Sequence, residues 1–171
     1  METLNTLKSR KSTKAYTAEQ VPDALLDEIL EAGLYAPTGR NNQKAIMIAV
    51  RDVETRNLLS KLNAAVLGAD TDPFYGAPCV VAVLSDPACS TWVEDGSLVM
   101  GNLLNAAHDL GLGCCWIHRA REVFDLPEGK TLLEGWNLPQ NLRGIGFCIL
   151  GYSAKEPLSK PREANRIIKI G

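Results

Sequence analysis

The chain has 171 residues, 46% of them hydrophobic and 22% charged, with a formal net charge of −2. That length suits one domain with a sizeable core, and the near-neutral balance gives no general reason to bind nucleic acid, so basic residues must act locally. No apolar run approaches the ~20 residues needed to span a membrane. The opening Met1-Glu2-Thr3-Leu4 lacks the cationic and apolar blocks of a secretory signal, so a cytoplasmic location without a membrane partner is expected.

Five cysteines occur, Cys79, Cys89, Cys114, Cys115 and Cys148; the number is odd and no C-x-x-C is present. They read as reduced, mostly buried thiols rather than a disulfide framework or a zinc site. Two histidines, His108 and His118, are too few for a histidine-rich metal centre. No metal is expected, and His108, inside a helical pattern, reads as packed or exposed rather than catalytic.

In chain order, Leu4 and Leu7 suggest a short helix running into Arg10-Lys11-Ser12-Thr13-Lys14, with Tyr16 close behind. Pro22 opens a second helix, with Leu25, Leu26, Ile29, Leu30 and Leu34 at helical spacing, and Pro37 and Gly39 signal its end. Residues 45–50 form an apolar run of strand length. Residues 53–67 read as helix, with Leu58, Leu59, Leu62 and Val66 on one face. After a turn at 70–73, residues 79–84 predict a buried strand.

The longest helical pattern covers 93–110, with Gly111 as its carboxy-terminal cap. Its small residues Gly96, Ser97, Gly101, Ala106 and Ala107 suit close packing in the core or against another subunit. A short strand at 114–117 follows, then helical turns around 121–124 and 130–136, then a strand at 143–150. Residues 167–170 are a final strand candidate. The proline-punctuated segment 152–166 before it forms an arm that folds back or reaches onto a neighbouring subunit. Strands and helices intermingle in a layered α/β (α+β) arrangement.

No G-x-G-x-x-G, Walker loop, G-x-S-x-G elbow or H-E-x-x-H occurs, so hydrolytic chemistry and a self-contained nucleotide fold have little support. Three segments stand out instead. Arg10-Lys11-Ser12-Thr13-Lys14 places three cations and two hydroxyls in five residues. Arg can grip phosphate bidentately, Lys adds point charge and Ser a donor, although alone the stretch also reads as a solvated basic run. Ala36-Pro37-Thr38-Gly39-Arg40-Asn41-Asn42-Gln43 is either a helix stop and loop or a set of amides placed to bond a heterocycle. Lys160-Pro161-Arg162 spaces two cations with a proline, and alone it reads as a solvated tail.

Together these segments resemble the nitroreductase family of flavin-dependent oxidoreductases. Residues 10–16 are similar to its R-x-S-x-[RK]-x-[FY] opening, and 36–43 to its A/S-P-S/T-x-x-N-x-Q segment. Phe74-Tyr75-Gly76-Ala77-Pro78 resembles its F-Y-G-A-P motif, and 102–116 its central helix ending in Gly111-Leu112-Gly113. Gly151-Tyr152 and Lys160-Pro161-Arg162 resemble its closing G-Y…K-x-R pattern. The motifs run in order along nearly the whole chain.

The resemblance implies a single FMN-binding domain over 1–171, with a central mixed sheet flanked by helices. It also implies a homodimer, with the carboxy-terminal arm and strand exchanged between subunits. Arg10, Lys11, Ser12, Lys160 and Arg162 would hold the ribityl phosphate. Lys14 would face the pyrimidine edge, where a cation favours the reduced flavin. Pro37, Thr38 and Asn41 would come from the partner subunit, and Ile117 and His118 would present backbone groups to the N5 and O4 edge. Asn63 is a further ring-contact candidate.

The implied activity is NADH- or NADPH-dependent, ping-pong reduction of a small electron acceptor, a nitroaromatic, quinone or related electrophile, in which no side chain is a nucleophile or obligatory base. Two departures stand out: Lys44-Ala45 follows the glutamine where much of the family has Pro-Trp, and His118-Arg119 follows the short strand. Arg119 either attracts an anionic substrate or points to solvent. The chain is short for the family, so an open pocket is expected. Alternatives are another flavin reduction on the same scaffold (reductive dehalogenation, activated alkenes), a flavin-binding or redox-sensing protein with low turnover, or a phosphate-ligand module without flavin.

Overall fold

The computed structural model describes residues 2–171. Six helices and four strands follow in the order α1 (Thr3–Ser9), α2 (Asp23–Leu34), β1 (Ile46–Val50), α3 (Val53–Leu67), β2 (Cys79–Ser85), α4 (Trp92–Asp109), β3 (Gly113–Ile117), α5 (Ala120–Asp125), α6 (Pro127–Gly135) and β4 (Arg143–Gly151). Local signals explain most boundaries. Asp52 caps α3 by accepting the Thr55 N–H at 2.7 Å, and Gly68 closes that helix in a left-handed conformation (φ 73°). Pro127 occupies the first turn of α6, where its missing N–H costs nothing.

The sheet runs β1-β2-β4-β3 and every ladder pairing in it is antiparallel. The expectation of a mixed sheet is therefore corrected: the one parallel contact is an isolated bridge between Ser12 and Cys114. β2 and β3, joined by α4, do point the same way, as a β-α-β pattern suggests. The last strand, β4, inserts between them and runs opposite to both.

Each face of the sheet covers its own core. On one face Val81, Val83 and Cys148 pack with Ile29, Met100 and Leu103 of α2 and α4. On the other, Ala82, Leu84 and Phe147 pack with Leu59, Val123, Phe124 and Leu133, and Phe147 meets the rings of Phe74 and Phe124 at 5.2 and 6.0 Å. β2 is buried at every residue, which is why it reads as a continuous apolar run rather than an alternating one.

Within the single chain, residues 167–170, the final strand candidate, form no strand. Ile167, Ile168 and Ile170 are exposed and have no strand partner, since an extended segment needs a sheet edge to satisfy its backbone groups. None of the helices is long and apolar enough to cross a membrane, among the described residues.

Candidate functional site

After α1 the chain leaves in extended form and lies along β3. The Thr13 N–H donates to the Cys114 carbonyl at 2.9 Å, and the Tyr16 hydroxyl donates to the Thr13 carbonyl at 3.0 Å. Extended backbone alternates its side chains. Thr13 therefore turns inward and is buried, while Ser12 and Lys14 turn outward beside Arg10. Gly113 permits this approach, because a Cβ there would sit 2.8 Å from the Thr13 side chain.

The carboxy-terminal segment returns to the same place. Its root is tied to the amino-terminal segment by Thr17 N–H to the Tyr152 carbonyl and Ala154 N–H to the Ala15 carbonyl, both 2.9 Å. Farther on, Lys11 Nζ pairs with Glu156 Oε1 at 2.8 Å, and the Lys11 ammonium holds the Glu156 carboxyl below its ordinary range.

Two adjoining clefts result, of about 520 and about 1040 Å³, and Arg10, Lys11, Lys160 and Arg162 line both. Ser12 and Lys14 complete the smaller; Lys8, Ser9 and His108 lie in the larger. Lys11 is committed to Glu156, whereas none of Arg10, Lys14, Lys160 and Arg162 has a carboxylate partner among the described residues. Unpaired cations converging on one cleft are stabilised by a phosphate dianion and repel one another without it. The donor set present fits a phosphorylated ligand.

Lys14 Nζ lies 5.8 Å over the ring of Tyr75, a residue held at a positive φ of 53°. The turn that holds it is organised by Asp72, which accepts from Phe74 N–H (2.9 Å), Gly76 N–H (2.8 Å), Ser60 (2.6 Å) and Arg56 (2.5 Å). Burial pushes the Asp72 carboxyl upward, but these bonds outweigh it and its pKa lies below the ordinary value.

Ile117 ends β3 buried, and His118 follows exposed. Asn63, fully buried, donates to the His118 carbonyl at 2.8 Å and accepts from Arg119 Nε at 3.1 Å. Both ends of its amide thus hold the turn after β3, where Arg119 has a φ of 74°. Asn63 supports that edge from behind. Arg119, half-buried, is held on Asn63 rather than extended into solvent.

Pro37, Thr38 and Asn41 lie away from this region: none of them lines either cleft. Their loop is fastened to the start of α4 by Asp95, which accepts from Gly39 N–H at 2.8 Å and from Asn42 Nδ2 at 2.9 Å. Sequence reasoning missed Asp95. Its only signal is a carboxylate in the first turn of a long helix, which reads as a favourable helix-dipole contact.

Four of the five thiols are buried. Burial pushes Cys79 up to about 11 and Cys114 to about 12, and raises Cys115 and Cys148 as well. All five cysteines are free and only Cys89 is partly exposed. A redox-sensing role needs accessible thiolate, so the cysteines give it no support.

The Nitroreductase family model matches residues 7–74. Over 161 residues the chain is 32% identical to an NADH dehydrogenase/NAD(P)H nitroreductase of Archaeoglobus fulgidus, covering 91% of this chain and 87% of that protein. It is 26% identical over 178 residues to an FMN reductase (NAD(P)H) of Bacillus subtilis, covering 94% and 70%. The crystal structure of a nitroreductase with bound FMN from Bacteroides fragilis superposes with a TM-score of 0.92 at 28% identity, covering 100% of both chains.

Proposed function

Because this chain belongs to the nitroreductase family, we propose that the cleft where its two ends meet holds FMN and serves the reduction of nitroaromatic, quinone or related electrophilic acceptors. The chain is an FMN-dependent NAD(P)H oxidoreductase, as its relatives' names and FMN-bound neighbours indicate. The observation that carries the proposal is the convergence on one cleft of Arg10, Lys160 and Arg162, drawn from both chain ends and without a carboxylate partner among the described residues.

Bound FMN supplies the hydride chemistry. The chain's residues bind and orient. Arg10, Ser12, Lys160 and Arg162 take the phosphate, and Lys11 keeps the arm in place through Glu156. Lys14, steadied on Tyr75, sets a positive charge at the pyrimidine edge and favours the reduced state. The backbone at Ile117 and His118, fixed by Asn63, faces the N5 and O4 edge. Donor and acceptor use the same open cleft in turn, a ping-pong order.

A homodimer belongs to the same proposal, with the partner subunit's Pro37, Thr38 and Asn41 lining the other side of the ring. Two observations support it. Leu4, Leu7, Leu34 and Tyr35, at α1 and the end of α2, are exposed, apolar side chains that a subunit contact would cover. The unpaired Ile167, Ile168 and Ile170 suit exchange of the arm, as an added strand on a partner's sheet. Free, buried thiols fit a reducing compartment, the cytoplasm.

Purified protein is expected to be yellow, or to become so with added FMN, and to bleach anaerobically with NADH or NADPH. Colourless protein that takes up no FMN would overturn the proposal. Flavin that binds but never bleaches would make the chain a flavin-binding protein instead.

A further inference from the structure

We propose that Asp95, on an element that supplies no expected cofactor contact, is the positioning residue that fixes loop 38–43 and thereby sets how tightly the flavin ring is held. This rests on the FMN reading above. Asp95 is only 3% exposed and accepts three hydrogen bonds: Gly39 N–H at 2.8 Å, Asn42 Nδ2 at 2.9 Å and Thr91 Oγ1 at 3.0 Å. Two of the three donors belong to the loop that carries Thr38 and Asn41.

That loop cannot hold its shape cheaply. Arg40, Asn41 and Gln43 have φ of 53°, 54° and 51°, left-handed backbone that residues with a side chain rarely adopt. Within the loop, two backbone bonds close a single 3-10 turn (Asn41 N–H to Thr38 O at 3.0 Å, Asn42 N–H to Gly39 O at 3.1 Å), and its side-chain bonds are exposed: Gln43 N–H to Thr38 Oγ1 at 3.2 Å, Gln43 Nε2 to Asn41 Oδ1 at 2.8 Å and Lys44 N–H to Asn42 Oδ1 at 3.1 Å. Water competes for each of these. The bonds to Asp95 are shielded, so they decide the conformation. Gly39 completes the attachment, since any Cβ there would run into the Thr91 side chain.

The polarity of the contact provides the test. Asp95→Asn replaces one accepting oxygen with a donor, which meets either the Gly39 N–H or the Asn42 amide. Asn42 can answer by turning its amide over only at the loss of the Lys44 N–H bond to its Oδ1. Asn42→Asp sets a second carboxylate against Asp95. The double variant Asp95→Asn/Asn42→Asp restores a donor–acceptor match with the direction reversed, at unchanged net charge.

The experiment measures, in the full-length protein and the three variants, FMN affinity by fluorescence quenching and amide hydrogen exchange of residues 39–44 in the flavin-free form. Each single variant is expected to weaken FMN binding by about ten- to a hundredfold and to speed exchange in the loop. The double variant is expected to regain most of both. Wild-type FMN affinity in either single variant would overturn the proposal. So would a folded double variant that is no better than the singles. If the unaltered protein takes up no FMN, the flavin reading fails. The exchange pattern then still decides whether Asp95 fixes the loop.

Discussion

Arg10→Ala, Arg162→Ala and Lys11→Ala separate a phosphate clamp from a merely basic surface. Arg10 is half-buried and has no carboxylate partner among the described residues. Losing a hydrogen bond to a charged group costs about 1.5–3 kcal/mol, which is about ten- to 150-fold in FMN dissociation constant. Lys11 is already spent on Glu156 at 2.8 Å, with side chains 34% and 83% exposed. A solvent-screened surface pair of that kind contributes little. Its removal should weaken FMN by less than about fivefold, through a looser arm.

Fluorescence titration of the flavin-free protein reads all three. Arg162 is exposed whereas Arg10 is not fully so. The Arg162→Ala penalty should therefore shrink more between ~0.01 and 0.1 M salt, as the screening length falls from about 30 to about 10 Å. Unchanged affinity in both arginine variants, or a Lys11→Ala loss equal to that of Arg10→Ala, would refute a clamp built from both chain ends.

Thiol labelling of the native protein at mildly alkaline pH should modify Cys89 quickly and spare Cys79, Cys114 and Cys148, whose burial holds them protonated; mass spectrometry counts the adducts, and rapid labelling of more than one thiol would contradict this. Asp72 should give the fold an acid-sensitive component. Its folded pKa lies below the unfolded value near ~3.9, so the stability it adds is intact above that value and is lost as pH falls through the folded one. Urea midpoints of the parent should therefore fall more steeply below about pH 4 than those of Asp72→Asn, and parallel curves would remove Asp72 from the account.

Elements whose signals are local were legible in the sequence. The 3.6-residue period marks α3 at the bounds it has in the structure. The apolar run 79–84 marks β2 to within one residue. Where a segment depends on what lies opposite, the sequence is less explicit. Residues 167–170 have strand composition, yet within the single chain they pair with no strand. The mixed sheet that the family resemblance implied has only antiparallel ladders, because β4 lies between β2 and β3 and runs opposite to both.

The sequence by itself determined the order of the motifs, and with it the family, the basic segments at both ends and the amide-rich loop between. Tertiary structure alone decided which of these meet. Arg10 and Arg162 reach one cleft because the arm pairs with residues 15–17. Lys11 acquires Glu156 across 145 positions of chain. Asp95 becomes the anchor of a loop 53 to 56 residues before it. The physical reason is that propensity, periodicity and caps act between neighbours along the chain. Hydrogen-bond partners and charge pairs are set by which surfaces the packed sheet and helices bring within about 3 Å.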